Sequence, residues 1–204
     1  MLDAALIQQC ADPSLKPAIV EQFVEAAGAP DPLTVTVKSG SRVFLVPKPK
    51  NADEALTIIR ENVGRAVVRV GLTQFPAGVG VKDASELKTD LVDACANLRM
   101  GTRMFAKILR IVAKWYGNPK SDDVFPQIFE DAVYAWKTGE FEGVGVFQAE
   151  DPRGPNANQD VPAERDAIEG VDVATPSQAD AEPSEDKTVG AAGMRIDLSR
   201  IGGK

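Results

Sequence analysis

Glu25 is a carboxylic acid, a residue type that can perform acid–base chemistry. It ends a segment whose pattern predicts an amphipathic helix. The apolar face of that segment carries Leu15, Ile19, Val20, Phe23 and Val24. A carboxylic acid there acts as both acid and base near neutral pH only if an apolar, partly desolvated cleft raises its pKa. Glu21, one turn earlier, is the other candidate on this helix, and the alternative for Glu25 is a solvated charge at a helix end.

Histidine is absent from the sequence, and this absence removes several classes of chemistry. Ser-His-Asp and Cys-His catalysis, imidazole metal sites and histidine pH switches are all excluded. The two cysteines, Cys10 and Cys95, cannot form a structural zinc site alone. They are either a disulfide in an oxidising compartment or two buried thiols. We therefore predict no metal site and no cofactor.

The charges divide the chain into two parts. Among the 204 residues are 23 Lys and Arg and 30 Asp and Glu, for a net charge of −7. Residues 1–147 are nearly neutral, with 17 basic and 18 acidic side chains, whereas residues 148–204 carry 6 and 12. Neither part has the basic excess that phosphate backbones demand, so a nucleic-acid partner is not predicted.

Residues 1–147 show the pattern of one domain, mainly α with a small β-hairpin. One predicted helix begins after Asp12, and three more cover residues 52–62, 91–115 and 124–136. A predicted hairpin pairs residues 33–37 with residues 43–46. The apolar run at 66–75 has no periodicity that assigns it to a helix or a strand. No apolar run approaches the roughly 20 residues of a membrane span.

Residues 148–204 are predicted to be a disordered acidic tail. They are rich in Pro, Asp, Glu, Ala, Ser and Gly, and they offer too little apolar surface to offset the entropy of ordering. The last apolar residues are Met194, Ile196, Leu198 and Ile201. They are interpreted as a frayed end, with a short docking segment as the alternative.

An ordered series of short motifs runs through the first domain. These are Cys10-Ala11-Asp12-Pro13, Glu25-Ala26 ahead of Asp31-Pro32-Leu33, Asp53-Glu54-Ala55, Gly71-Leu72-Thr73-Gln74-Phe75, Cys95-Ala96-Asn97-Leu98-Arg99-Met100-Gly101 and Trp136-Lys137-Thr138-Gly139. In this order they resemble the lytic transglycosylases of bacterial type IV secretion and conjugation systems. The resemblance covers about two-thirds of the chain and is closest to the TraH-type conjugal transfer proteins of Ti-type plasmids.

The motifs also depart from the family pattern. The serine that usually follows the catalytic glutamate is Ala26, and the tyrosine and asparagine of the last motif are Trp136 and Lys137. Pro76 follows Phe75 where a small polar residue is usual. The spacing slips as well. Counting from Ala18-Ile19-Val20 puts the catalytic position near Phe23, whereas counting back from Pro32-Leu33 puts it near Ala27.

The resemblance implies a lysozyme-like fold and a specific reaction. Enzymes of this family cleave the bond between N-acetylmuramic acid and N-acetylglucosamine in peptidoglycan without water. One glutamate, here Glu25, first protonates the leaving oxygen and then accepts a proton from the sugar C6 hydroxyl, which closes a 1,6-anhydro ring. The attacking oxygen comes from the substrate, which removes the need for a second carboxylate.

The same resemblance assigns further roles, each with an alternative. Gln74 would bind sugar acetamide or hydroxyl groups, or else be a buried amide bonded to backbone. Trp136 would stack on a sugar face, or else be a core aromatic. Related domains carry cysteines at both positions, so the resemblance favours a Cys10–Cys95 disulfide.

Two functions follow as expectations. The first is an accessory protein that opens peptidoglycan for assembly of a type IV secretion channel, with glycan strands and mating-pair components as partners. The second is an inactive lysozyme-like scaffold or wall-binding part of the same apparatus. The family implies a periplasmic location, although the first residues show no signal-peptide pattern.

Overall fold

The computed structural model describes residues 2–154, which form a mixed helix and strand fold. The α-helices of this part are α1 (Ala4–Cys10), α2 (Pro17–Ala27), α3 (Ala52–Asn62), α4 (Ala94–Trp115) and α5 (Phe125–Thr138). Short 3-10 turns at Ala84–Glu86, Thr89–Leu91 and Asp122–Val124 connect them. No helix within residues 2–154 has both the length and the apolar composition that crossing a membrane requires.

The strands form one antiparallel sheet and one small hairpin. The sheet contains β1 (Val35–Ser39), β2 (Arg42–Phe44), β3 (Val67–Val70) and β4 (Phe75–Pro76) in the order β2-β1-β3-β4. The hairpin after α5 pairs β5 (Glu140–Phe141) with β6 (Val144–Gly145). Thr36 lies opposite Arg69 in the register of β1 and β3, so both side chains belong to one face of the sheet.

Local sequence explains where the helices begin and end. The Asn51 side chain accepts a hydrogen bond from the Glu54 N–H at the start of α3, and Asp93 accepts one from the Ala96 N–H at the start of α4. Such caps satisfy N–H groups that have no partner within the helix. Gly139 ends α5 with a φ of 86°, a left-handed conformation that glycine adopts without a steric penalty.

The core is organised around an aromatic cluster of Phe23, Phe105 and Trp136, which we call the aromatic core. Phe23 stacks on Phe105 with ring centroids 3.9 Å apart, and it meets Trp136 edge to face at 5.1 Å. These residues come from α2, α4 and α5 and are almost fully buried. Packing of these three helices therefore depends on one continuous set of rings.

Most predicted elements are found in the structure. The helix at 52–62 has the predicted bounds, and the helices predicted at 91–115 and 124–136 correspond to α4 and α5. The unassigned run at 66–75 contains β3 and a tight turn that leads into β4. The short helix α1 is a difference, because its seven residues bury only Ile7 and Cys10 and leave a weak periodic signal.

The ordered contacts continue past the predicted domain boundary at residue 147. Lys107 donates from Nζ to the carbonyl oxygens of Phe147 and Ala149, at 2.9 and 3.0 Å. Asp151 forms an ion pair with Arg110. Residues 147–151 are thus held along α4, whereas residues 155–204, including Met194, Ile196, Leu198 and Ile201, lie outside the described part of the chain.

Candidate functional site

Glu25 lies in the last turns of α2 with its side chain exposed to solvent. It lines a surface pocket together with Glu21, Leu2, Val24 and the turn at Gly28, Ala29 and Pro30. The described lining of this pocket contains no aromatic ring and no cationic side chain. Glu25 and Glu21 thus share a pocket, but the described residues do not enclose either carboxyl group.

The end of α2 is attached to the segment that carries the Gly-Leu-Thr-Gln motif. The Ala29 N–H donates to the Leu72 carbonyl oxygen at 2.9 Å. A Cβ atom on Gly28 would lie 2.2 Å from that same oxygen, so only glycine permits the approach. This contact brings the chain just beyond Glu25 beside the motif at 71–75.

Gln74 lies in this motif with its side-chain amide already bonded within the protein. Its Oε1 accepts from the Thr36 hydroxyl at 2.8 Å, and its Nε2 donates to the Gly71 carbonyl at 3.1 Å. The residue has a φ of 51°, which tightens the turn between β3 and β4. Both ends of the Gln74 amide thus have a partner within the protein, while the side chain stays partly exposed.

Asn97 of α4 connects the same motif to the core. Its Oδ1 accepts from both the N–H and the hydroxyl of Thr73 at 2.9 Å. Its Nδ2 donates to the carbonyls of Val70 at 3.0 Å and Leu91 at 2.7 Å. Asn97 and Thr73 are fully buried, so this amide satisfies polar groups that no solvent reaches.

Trp136 is a core residue, and this corrects the interpretation of its ring as a sugar platform. The side chain is 1% exposed and packs against Phe23 and Phe105. Its indole N–H donates to the Thr73 carbonyl at 3.1 Å. Since no ring face reaches solvent, a sugar cannot stack on it without disassembling the core. Lys137, the next residue, is exposed.

Phe23 lies near one of the two positions at which the motif spacing places the catalytic acid. Counting from Ala18-Ile19-Val20 puts the position of the family's acid near Phe23, yet the Phe23 side chain is 0% exposed and belongs to the aromatic core. Ala27, the position given by the opposite count, has no ionisable group. Neither of the two positions that the motif spacing indicates, Phe23 and Ala27, therefore carries a carboxyl group.

Arg69 is a buried cation that sequence reasoning missed. Its Nη2 donates to the carbonyls of Trp136 at 2.7 Å and Lys137 at 3.1 Å, near the C-terminal end of α5. The guanidinium lies over the rings of Trp136 and Phe147, at 5.8 and 5.2 Å from their centroids. Burial lowers the pKa of Arg69 to about 10, so the group stays charged at neutral pH. The sequence signal that could have identified this buried cation is an arginine within the otherwise apolar run 67–70.

Cys10 and Cys95 are joined by a disulfide that connects the end of α1 to the start of α4. Their Cα atoms are 5.1 Å apart, and they are separated by 85 positions in sequence. Beside the bridge, Ile7, Val20 and Leu98 form a small second cluster of buried side chains. Within residues 2–154, no three Cys, Asp or Glu side chains converge in a way that could hold a metal ion.

Comparisons with known proteins show the family of this chain. The chain is 68% identical over 203 residues to the Uncharacterized protein y4dP of Sinorhizobium fredii (strain NBRC 101917 / NGR234), and the alignment covers 100% of both chains. No solved structure gives a significant match. The TraH_2 family model matches residues 1–203. The chain therefore belongs to the TraH_2 family, and this membership indicates a conjugation-related protein.

Proposed function

We propose that this protein is a conjugation accessory protein in which a lysozyme-like transglycosylase domain serves as a non-catalytic, peptidoglycan-binding scaffold. The order of elements supports the ancestry. A helix that carries Glu25 precedes an antiparallel sheet, the motif at 71–75 follows β3, and the Asn-Leu motif lies on the long helix α4.

The observation that carries the proposal is the environment of Phe23. One register count puts the acid near this position, where a phenyl ring stacks at 3.9 Å on Phe105 and meets Trp136 at 5.1 Å. An aromatic side chain cannot transfer a proton to a glycosidic oxygen. The same rings leave no space beside Trp136 for a sugar, since Phe23, Phe105 and Trp136 are nearly inaccessible to solvent.

The exposure of Glu25 supports the same conclusion. Anhydro-ring closure requires a carboxyl group that is protonated at the start and ionised halfway through the reaction, which demands a desolvated cleft. Glu25 instead projects from the solvent-facing side of α2. Its side chain is exposed to solvent, although apolar side chains such as Leu2 and Val24 line the same pocket.

The framework around the proposed ancestral site is closely packed and fully hydrogen-bonded at Asn97. The Asn97 amide makes four hydrogen bonds, to Thr73, Val70 and Leu91. Gly101 lets α4 approach Thr73, because a Cβ atom there would lie 2.2 Å from the Thr73 hydroxyl oxygen. Such packing maintains the shape of the domain without requiring turnover, as a scaffold does.

A second candidate function is the lytic transglycosylase itself, with Glu25 as the acid. One observation favours it: Glu25 and Glu21 line the same pocket next to Gly28, which adjoins the motif at 71–75. In this reading a glycan strand would complete the enclosure of Glu25 when it binds. Glu21 would be the catalytic acid if the enzyme stayed active without the Glu25 carboxyl group.

One assay separates the two functions. The purified chain, residues 1–204, is incubated with isolated peptidoglycan, the pellet is assayed for bound protein, and the supernatant is analysed by mass spectrometry for 1,6-anhydro sugars. The scaffold predicts co-sedimentation without anhydro products. Anhydro products from the wild type that vanish in Glu25→Gln would refute the scaffold, and products lost only in Glu21→Gln would move the acid to Glu21.

The proposed place of action is the periplasm, with components of the mating apparatus as partners. The Cys10–Cys95 bridge supports this proposal, because disulfides persist in oxidising compartments and are rare in reducing ones. Fractionation of donor cells, with thiol labelling of each fraction, tests it. Protein recovered in the cytoplasm with both thiols free would contradict the proposal.

A further inference from the structure

Trp115, the last residue of α4, presents an indole ring to solvent. Its side chain is 58% exposed, in contrast to the buried Trp136. Tyr116 and Phe141 each contact the ring in an edge-to-face arrangement, with centroids at 5.0 and 5.6 Å. One side of the indole is thus packed against other rings, and the rest faces solvent.

Hydrogen-bonding groups lie at the hydroxyl end of Tyr116, whose ring contacts Trp115. The Tyr116 hydroxyl donates to Asp131 Oδ2 at 2.7 Å, and Gln127 Nε2 donates to Asp131 Oδ1 at 3.3 Å. Each carboxylate oxygen keeps a free lone pair, and the Tyr116 oxygen can also accept. Hydroxyl or amide N–H groups of a ligand on Trp115 would find these acceptors in place.

The charge around the ring selects the kind of ligand. The Asp131 carboxylate accepts a hydrogen bond from the Tyr116 hydroxyl and thereby raises its pKa, and the charge of Glu142 raises the same pKa further. An anionic ligand would be repelled by this pair. A neutral ligand with an apolar face and several donor groups can stack on the ring and donate to these oxygens, and a pyranose has both, since its axial C–H bonds form an apolar face.

We propose that Trp115, Tyr116 and Asp131 form a binding site for a neutral N-acetylhexosamine unit of a glycan strand, remote from the eroded catalytic position. The sugar face stacks on the indole, while its hydroxyl and acetamide N–H groups donate to Asp131 and Tyr116. Val144, half exposed on the adjoining hairpin and paired with Phe141, extends the apolar surface. The site rests on the proposed function and names the residues through which the scaffold holds peptidoglycan.

The first experiment measures co-sedimentation of the chain with isolated peptidoglycan. Trp115→Ala is expected to weaken binding by at least about ten-fold, because truncating a central aromatic anchor commonly removes that much affinity. Trp115→Tyr keeps a stacking ring and retains most of the binding, and Asp131→Ala weakens it. Phe44→Ala removes another half-exposed ring, on β2, and serves as the matched control with wild-type binding.

The second experiment uses tryptophan fluorescence with tri-N-acetylchitotriose as the probe. Only two tryptophans are present in the sequence, and Trp136 is already buried. A saccharide on Trp115 therefore shifts the solvent-exposed part of the emission to shorter wavelength and protects it from acrylamide quenching. In Trp115→Tyr this shift is absent although the variant still binds peptidoglycan.

The outcomes separate the site from the broader function. If the wild type does not bind peptidoglycan, both the scaffold function and this site are refuted. If the wild type binds and Trp115→Ala binds equally well, only the site is refuted. A Trp115→Ala protein that binds peptidoglycan normally but lowers plasmid transfer would also overturn the saccharide site, and it would assign the surface to a protein contact.

Discussion

Asn97 and Thr73 form a buried pair in which one amide oxygen accepts both the backbone N–H and the hydroxyl of its partner, each at 2.9 Å. The pair joins α4 to the turn that follows β3. Because Asn97 Nδ2 also donates to Val70 and Leu91, one side chain fixes three separate segments. The turn that follows β3 is thus held in one conformation by buried hydrogen bonds.

Asn97→Ala should lower the free energy of unfolding by about 3 kcal/mol or more, since several buried polar groups lose their partners at about 1–3 kcal/mol each. Urea denaturation followed by circular dichroism measures the loss. Gln22→Ala removes an exposed amide from α2 and is the matched control, with an expected change within about 0.5 kcal/mol. Equal stability of the two variants would show that the network contributes little.

Gly101→Ala should destabilise the protein although alanine is the better helix former. Helix propensity alone predicts a gain of about 1 kcal/mol for this change. The new Cβ atom, however, would lie 2.2 Å from the Thr73 hydroxyl oxygen and 2.4 Å from its Cβ, so overpacking should cause a net loss of about 1–3 kcal/mol. Gly78→Ala is the control, because its nearest neighbour is 3.7 Å away. A gain in thermal midpoint for Gly101→Ala would contradict the close packing.

The elements of this fold were predictable where one face of a segment is apolar. The helix Ala52–Asn62 has a polar cap at Asn51 and a regular apolar face, and its predicted bounds agree with the structure. The run at 66–75 was not assignable, because three consecutive residues of β3 are buried and the strand therefore lacks the alternation of a half-exposed strand. Its identity depends on pairing with β1, a contact that no local pattern encodes.

The candidate site was less predictable than the fold. The residues of the motif at 71–75 were found, but Gln74 and Trp136 have internal partners that sequence does not reveal. Exposure separates Trp115 from Trp136, and it follows from tertiary packing of the helices. Arg69 was missed for the same reason, since the carbonyls it binds lie 67 and 68 positions away in sequence.

Arg69→Met should lower the free energy of unfolding by about 2–3 kcal/mol, because hydrogen bonds from a charged donor to the Trp136 and Lys137 carbonyls are lost. Chemical denaturation at neutral pH provides the measurement. Arg65→Met removes an exposed arginine four positions earlier and should have little effect. Similar losses in both variants would indicate a general effect of charge, not the specific contact with the end of α5.

The Cys10–Cys95 bridge should contribute about 4 kcal/mol, because a crosslink between positions 85 apart restricts the unfolded chain strongly. Adding a reductant should therefore lower the midpoint of urea unfolding of the wild type. The double variant Cys10→Ala with Cys95→Ala should unfold at the lower midpoint with or without reductant. A wild type that is insensitive to complete reduction, as verified by mass spectrometry, would contradict this contribution.

Asp151→Asn tests the contact that holds residues 147–151 along α4. The side-chain hydrogen bonds from Arg110 lower the pKa of the Asp151 carboxyl group below its ordinary value of 3.8. A carboxyl group whose pKa is lowered by folding stabilises the protein fully above that ordinary value, and this contribution is lost as pH falls through the lowered pKa. The wild type should therefore exceed Asp151→Asn in thermal midpoint at pH 7, and the difference should shrink as the pH is taken well below 3.8. A difference that stays constant over this range would mean that Asp151 acts through packing and not through its charge.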